Sequence, residues 1–215
     1  HVIRQLQEME SEEAVEVLLA RFGETSHNTT VDIEEKEFVY DVLVEMGRTT
    51  DLDVAGLVKT HLMETEEKIN WPLKVLKDLL DYEEMAEVVS QLLDTCTKGF
   101  ERNPEKKQEL MLQSAELKDR ELAEKLLRFL ADSNETIRFL AVDAVRHQDF
   151  EDLIEEPLRE RLVEEDSLRI VEKITEVFVE HSDWKIPEEM QADVEKALPD
   201  DYGIHKEGHI YRRRI

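Results

Sequence analysis

The sequence predicts an all-α fold: an α-solenoid of about five antiparallel helix pairs, then a terminal helix and a short irregular or hairpin tail. Three observations carry this expectation. Only 6 Gly and 5 Pro among 215 residues leave too few turn formers for a sandwich, barrel or wound sheet. The abundance of Glu, Leu, Ala and Lys favours helix. The chain also repeats itself: LLRFLADSNETIRFLAVDAV (126–145) and PLRERLVEEDSLRIVEKITEV (157–177) each join an apolar helix end, a short acidic turn and a hydrophobic-Arg pair that opens another apolar helix. Arg138 and Arg169 stand 31 positions apart, and Ile69-Asn70-Trp71 precede Ile137-Arg138-Phe139 by 68, about two repeats. Such periods belong to stacked helical pairs, because no single pair can bury its apolar stripe alone.

The elements follow in order. Val2, Ile3 and Leu6 read as the last apolar turns of a helix that ends before Ser11, which caps the next one. On this reading the chain begins inside a repeat, leaving an apolar end open to a second copy. The expected pairs are 12–22 with 33–46, 51–63 with 66–80, 83–98 with 104–117, 119–131 with 134–147, and 150–164 with 167–181. Asp32-x-x-Glu35 and Asp81-x-x-Glu84 resemble capping boxes, Asn103-Pro104 places a cap before a proline, and Ser133 suits the cap of the following helix. Pro157 falls inside its helix and should bend or interrupt it. Pro72 does the same unless its helix starts at Asn70, where the first turn tolerates it. A last helix runs from Pro187 to Leu198, so that residues 1–198 form one helical repeat domain and 199–215 a separate tail.

Charge narrows the function classes. With 28 Lys+Arg against 53 Asp+Glu, the net charge is −25. A broad phosphate-binding surface is excluded, since a polyanion would meet repulsion. No apolar run approaches the roughly 20 residues that span a bilayer, so neither nucleic acid nor membrane is an expected partner. The single Cys96 gives no internal disulfide and suits a reducing, cytoplasmic setting; its expected role is that of a small buried hydrophobe. Asn-x-Thr triplets at Asn28 and Asn134 read as accidental. The Glu-rich runs at 64–67, 155–165 and 188–189 read as solvated faces and favourable charge near helix starts.

Residues 119–147, DRELAEKLLRFLADSNETIRFLAVDAVRH, carry a family resemblance through Leu127, Leu130, Asp132, Ile137-Arg138, Ala141, Ala144 and Val145. The segment resembles a HEAT repeat, close to the variety found in bilin-lyase-like HEAT proteins. The fifth pair matches less well, with Leu168-Arg169 present but a shorter turn and larger residues in place of the alanines; in the second pair Asn70 replaces the Arg. The resemblance spans about residues 12–181. It implies a right-handed superhelical stack, a structural ladder through Asp132, Arg138 and Arg169, and a non-enzymatic protein-binding scaffold using its concave face. A bilin-lyase-like or other cofactor-binding HEAT protein is the alternative. Similar enzymes need signatures that are missing here. Deoxyhypusine hydroxylases use repeated His-Glu pairs, and no His in this chain precedes Glu. HEAT-like DNA glycosylases need a cationic groove. No P-loop, dinucleotide glycine motif, zinc array or nucleophile elbow occurs, so no enzyme activity and no cofactor are expected.

The candidate partner-binding residues are Tyr40, Trp71 and Phe139, all on expected second helices, with Trp71 and Phe139 at equivalent repeat positions. Packing between layers is the simpler role for aromatics at helical spacing. The partner expected from the acidic excess is another protein, one with a basic segment. His205-x-x-x-His209 with Glu207 is the best metal candidate, but Gly203 and Gly208 oppose a helix there, and the preferred reading is solvated tail histidines. His147 and His181 read as helix-end caps. The tail carries Lys206, Arg212, Arg213 and Arg214 against Glu207 from residue 205 onward, and is expected to form a hairpin around 206–208 and fold back on the acidic body.

Overall fold

The computed structural model describes residues 2–66, 68–97 and 99–213. These residues form an all-helical fold with a single small hairpin: α1 (Val2–Met9), α2 (Glu12–Gly23), α3 (Thr29–Thr49), α4 (Val54–Glu64), α5 (Asn70–Leu79), α6 (Tyr82–Asp94), α7 (Glu105–Ser114), α8 (Arg120–Leu127), α9 (Glu135–Arg146), α10 (Glu151–Glu164), α11 (Leu168–Glu180), α12 (Glu188–Ala197), β1 (Tyr202–Ile204) and β2 (Ile210–Arg212). The expected helix end at 98, the last residue of the 64–67 acidic run and Arg214 of the tail lie outside the described residues. The chain divides into two compact units, residues 1–96 with 102–110, and residues 97–101 with 111–215.

In the first unit α2 packs on α4 and α3 on α5. Leu18, Phe22, Val39, Leu43, Leu62, Leu73 and Leu76 are sealed from solvent between them. Each such burial contributes about 1.5–3 kcal/mol, which is what holds short helices of modest propensity together. Gly47 lets α3 approach α5 closely, since a Cβ there would lie 2.8 Å from the Leu79 side chain. In the second unit α8 packs on α10 and α9 on α11, with α12 added to α10. First helices thus meet first helices and second meet second within each unit.

Caps explain most boundaries. Ser11 accepts from Ala14 N, and Asp81 and Glu84 form the full capping box that their spacing predicts. Two starts differ from expectation. α3 begins at Thr29, earlier than 33, because Asn28 caps it through Thr30 N and Val31 N. Asp32 is therefore not a cap; it sits inside the first turn and accepts from Lys36 Nζ (2.8 Å), Arg21 Nη2 (2.8 Å) and Ser26 N (3.0 Å). These three bonds hold its carboxyl far below the ordinary carboxylate range, the Lys36 bond foremost. Asn134, not Ser133, caps α9. Both Asn residues of the Asn-x-Thr triplets are thus helix caps.

The prolines part ways. α5 starts at Asn70, which places Pro72 in the tolerant first turn, whereas α10 runs uninterrupted through Pro157. α8 stops at Leu127 and tightens into a 3-10 turn over Arg128–Ala131, where one continuous helix was expected. α7 is shorter than expected, and Lys106 from it donates to the carbonyls of Leu62 (2.9 Å) and Thr65 (2.8 Å) at the end of α4. A cation there suits the negative end of the α4 dipole. In the second unit the fully buried Gln148 does similar work, donating to Ser114 O, Leu117 O and Ala144 O while accepting from Asp119 N.

The tail forms an antiparallel hairpin in register Tyr202↔Arg212, Gly203↔Tyr211, Ile204↔Ile210. β1 rests on α12 and β2 on α11. Buried Tyr202 and Ile210 anchor it, Arg212 reaches Asp201 (3.2 Å), and Arg213 N donates to Asp201 O (2.7 Å). Among the described residues no helix is long and apolar enough to cross a membrane.

Candidate interaction surface

The second helices carry the predicted aromatic residues, and each aromatic is half-buried under a cation. In the first unit Trp71, near the start of α5, stacks on Phe22 (6.0 Å between centroids, 3° between planes) and meets Tyr40 of α3 at 6.3 Å. Lys74, one turn on from Trp71, sits over both rings, 4.3 Å from Tyr40 and 5.1 Å from Trp71. The Tyr40 hydroxyl donates to Asp78, and that bond, with burial, pushes its pKa up to about 12. Trp71 is thus half-buried, packed against Phe22 and Tyr40. In the second unit Phe139 of α9 lies beneath Arg169 (4.8 Å) and Lys173 (3.8 Å) of α11. The structure brings Tyr40 and Trp71 together; Phe139 belongs to the other unit.

The residues proposed for the ladder form a polar seam between the turns of neighbouring pairs. Arg138 grips Glu165 with two parallel bonds, Nε at 2.9 Å and Nη2 at 2.8 Å, and adds Asp166 (3.1 Å) and the backbone carbonyl of Asp132 (3.0 Å). Asp132 is buried and turns its carboxylate to Asn134 N (2.8 Å), fixing the turn that Arg138 then spans. The Glu165 side chain is sealed from solvent, accepts from Asp166 N and Ser167 N, and lies 3.0 Å from Arg161 Nε. Burial alone would raise its pKa; the bonds from Arg138 and the Ser167 amide outweigh that and hold it at about 2. Arg169 points backward, donating to Glu135 at 2.7 Å in an exposed pair. Sequence spacing located Arg138 and Arg169, whereas Glu165 was hidden within an acidic run read as a solvated face.

Acid lines first and second helices alike, with six acidic residues on α10. On α3 the exposed Glu34, Glu37, Asp41 and Glu45 follow one another at intervals of three and four residues, which lines them along one face. On α11 Glu172, Glu176 and Glu180 do the same. Glu45 accepts from Gln7 and Glu180 pairs with Arg146; both otherwise face solvent.

Two histidine groups remain. His181 caps α11, stacks on Trp184 (4.3 Å) and approaches Glu151, whose carboxylate also accepts from the Trp184 indole N–H at 3.3 Å. His147 caps α9, its ring 2.6 Å from Asp143 O. His205, Glu207 and His209 converge at the hairpin turn. Cys96 is buried, with Leu92 O as its sulfur's neighbour. Comparison with known family models, with curated proteins and with solved structures found no match.

Proposed function

We propose that this protein is a non-enzymatic, HEAT-like repeat scaffold whose second-helix surface binds a basic segment of another protein. The observation that supports this reading best is the exposed row Glu34, Glu37, Asp41 and Glu45 on α3, flanked on the same helix by Tyr40 and its Trp71–Lys74 cluster. A Lys/Arg-rich extended or helical segment laid along this row meets four carboxylates, while its apolar residues reach the Tyr40–Trp71 edge. In the second unit the cations on the aromatic face are held by the protein's own acids, Arg169 by Glu135. Lys173 likewise pairs with Asp143, so these cations give partial, not net, positive charge to the surface.

The test is a fluorescence-anisotropy titration of the whole chain with a labelled Lys/Arg-rich peptide at rising salt. The expected result is binding that weakens by about tenfold between low and moderately high salt, as solvent-exposed charge pairs are screened. Binding insensitive to salt would overturn the electrostatic basis of the proposal.

A further inference from the structure

We propose that the hairpin turn binds one divalent transition-metal cation of the Zn²⁺ type through His205, Glu207 and His209. Gly203 and Gly208 oppose the helix that would align His205 with His209. The structure reaches the same convergence by another route. His205 and His209 follow the Ile204↔Ile210 pair as the next facing positions across the hairpin, and His205 N donates to His209 O at 2.8 Å. Residues directly opposite on antiparallel strands project to the same side with Cβ atoms about 5 Å apart. The two imidazoles accordingly lie face to face, 4.5 Å between centroids and 22° between planes. Gly208, at φ +93°, supplies the left-handed residue that closes the turn carrying Glu207.

The donor set is chemically complete for three of four tetrahedral positions. One ligand atom from each side chain lies within 4.8 Å of the other two. The Glu207 amide donates to His205 Nδ1 at 3.3 Å, a long bond that a cation at that nitrogen would replace, and the Glu207 carboxylate lies 3.9 Å from it. A cation bonded at about 2.0–2.1 Å to both atoms would span 3.9 Å at about 144°; closing that gap to about 3.3 Å gives the tetrahedral angle. Exposed Glu207 makes that movement by side-chain rotation, and the stacked imidazoles must turn about their Cβ–Cγ bonds so that both in-plane lone pairs meet the cation. Two imidazoles with one carboxylate favour Zn²⁺ and its neighbours over Mg²⁺ or Ca²⁺, which require more oxygen ligands.

The backbone holding the ligands is already fixed. Gly208 N donates to His205 O at 2.7 Å, and Gly208 O accepts from Ile186 N at 2.8 Å, tying the turn to the segment before α12. Lys206 is the cation nearest in sequence, but its exposed side chain can swing away. In the competing group of Glu151, His181 and Asp183, one Glu151 carboxylate oxygen already accepts from the Trp184 indole N–H at 3.3 Å. The fourth position at the hairpin is left to water or to an external ligand.

The experiment is isothermal titration calorimetry of the whole chain with ZnCl₂ at pH 7.5, repeated with His205→Asn, His209→Asn and Glu207→Gln, and with His181→Asn as control. Circular dichroism checks that each variant is folded. One site per chain is expected, with affinity reduced at least tenfold by each hairpin substitution and unchanged by the control. A parallel titration with Co²⁺ should give the intense visible absorption of a tetrahedral ion, lost in His209→Asn. Absence of Zn²⁺ binding, binding unaffected by the hairpin substitutions, or binding lost with His181→Asn would each overturn the assignment.

Discussion

Replacing Glu165 by alanine should destabilise the second unit by about 3 kcal/mol. The carboxylate is fully shielded, and removing it leaves Arg138 and Arg161, whose side chains are only 12% and 14% exposed, without their shared counter-charge. Breaking one partner of a buried pair costs about 3–5 kcal/mol. Arg138 keeps the Asp166 carboxylate and the Asp132 carbonyl, which places the loss at the lower end. Two backbone amides, Asp166 N and Ser167 N, also lose an acceptor, but water reaches that turn. The assay is urea unfolding followed by far-UV circular dichroism, with Glu135→Ala as comparison. Glu135 pairs with Arg169 where both are half exposed, so its loss should cost about 1 kcal/mol or less. If Glu165→Ala costs no more than Glu135→Ala, Glu165 is not the keystone of the seam and the burial argument fails. Replacing both Arg138 and Glu165 by apolar residues should recover part of the loss, because no buried charge is then left alone.

Two further outcomes follow from named residues. Glu165 has a folded pKa of about 2 against an ordinary 4.5, so its contribution is complete above about pH 4.5 and is lost as pH falls through about 2. Thermal melts across that window should therefore show a shallower acid dependence in Glu165→Gln than in the parent chain. Gly208→Ala should loosen the hairpin by about 1–2 kcal/mol, since a Cβ there combines a left-handed φ with a 3.2 Å approach to Ile186 O. Faster amide exchange at Ile186 and His205, with α8–α11 unchanged, is the readout.

The helical class and most of the pairing were legible because they rest on local chemistry: apolar spacing, and caps such as Ser11 and Asp81. Where the reading slipped, two local signals competed. Asp32-x-x-Glu35 imitates a capping box, yet Asn28 lies at a better place, and Asp32 gains more from Arg21 and Lys36 than from any helix end. Ser133 and Asn134 are both good caps, and their contest turns on one residue of turn geometry. Glu165 could not be picked out of its acidic run, since burial depends on which neighbour supplies the arginine, and Arg138 lies 27 positions upstream. The His205 and His209 convergence was legible in principle. A hairpin was predicted over these same residues, and facing positions on a hairpin bring side chains together as surely as one helical turn does.

The acidic row on α3 admits the most direct measurement. Glu34→Gln, Glu37→Gln, Asp41→Asn and Glu45→Gln can be combined in one chain, since all four side chains are exposed and only Glu45 has a hydrogen-bond partner on another helix, Gln7. The fold should survive, with stability changed by no more than about 1 kcal/mol. Titrated with the labelled Lys/Arg-rich peptide at low salt, the combined variant should bind at least tenfold more weakly than the parent and lose most of its salt dependence. Equal affinity and equal salt dependence in the two chains would show that the row does not hold a basic partner.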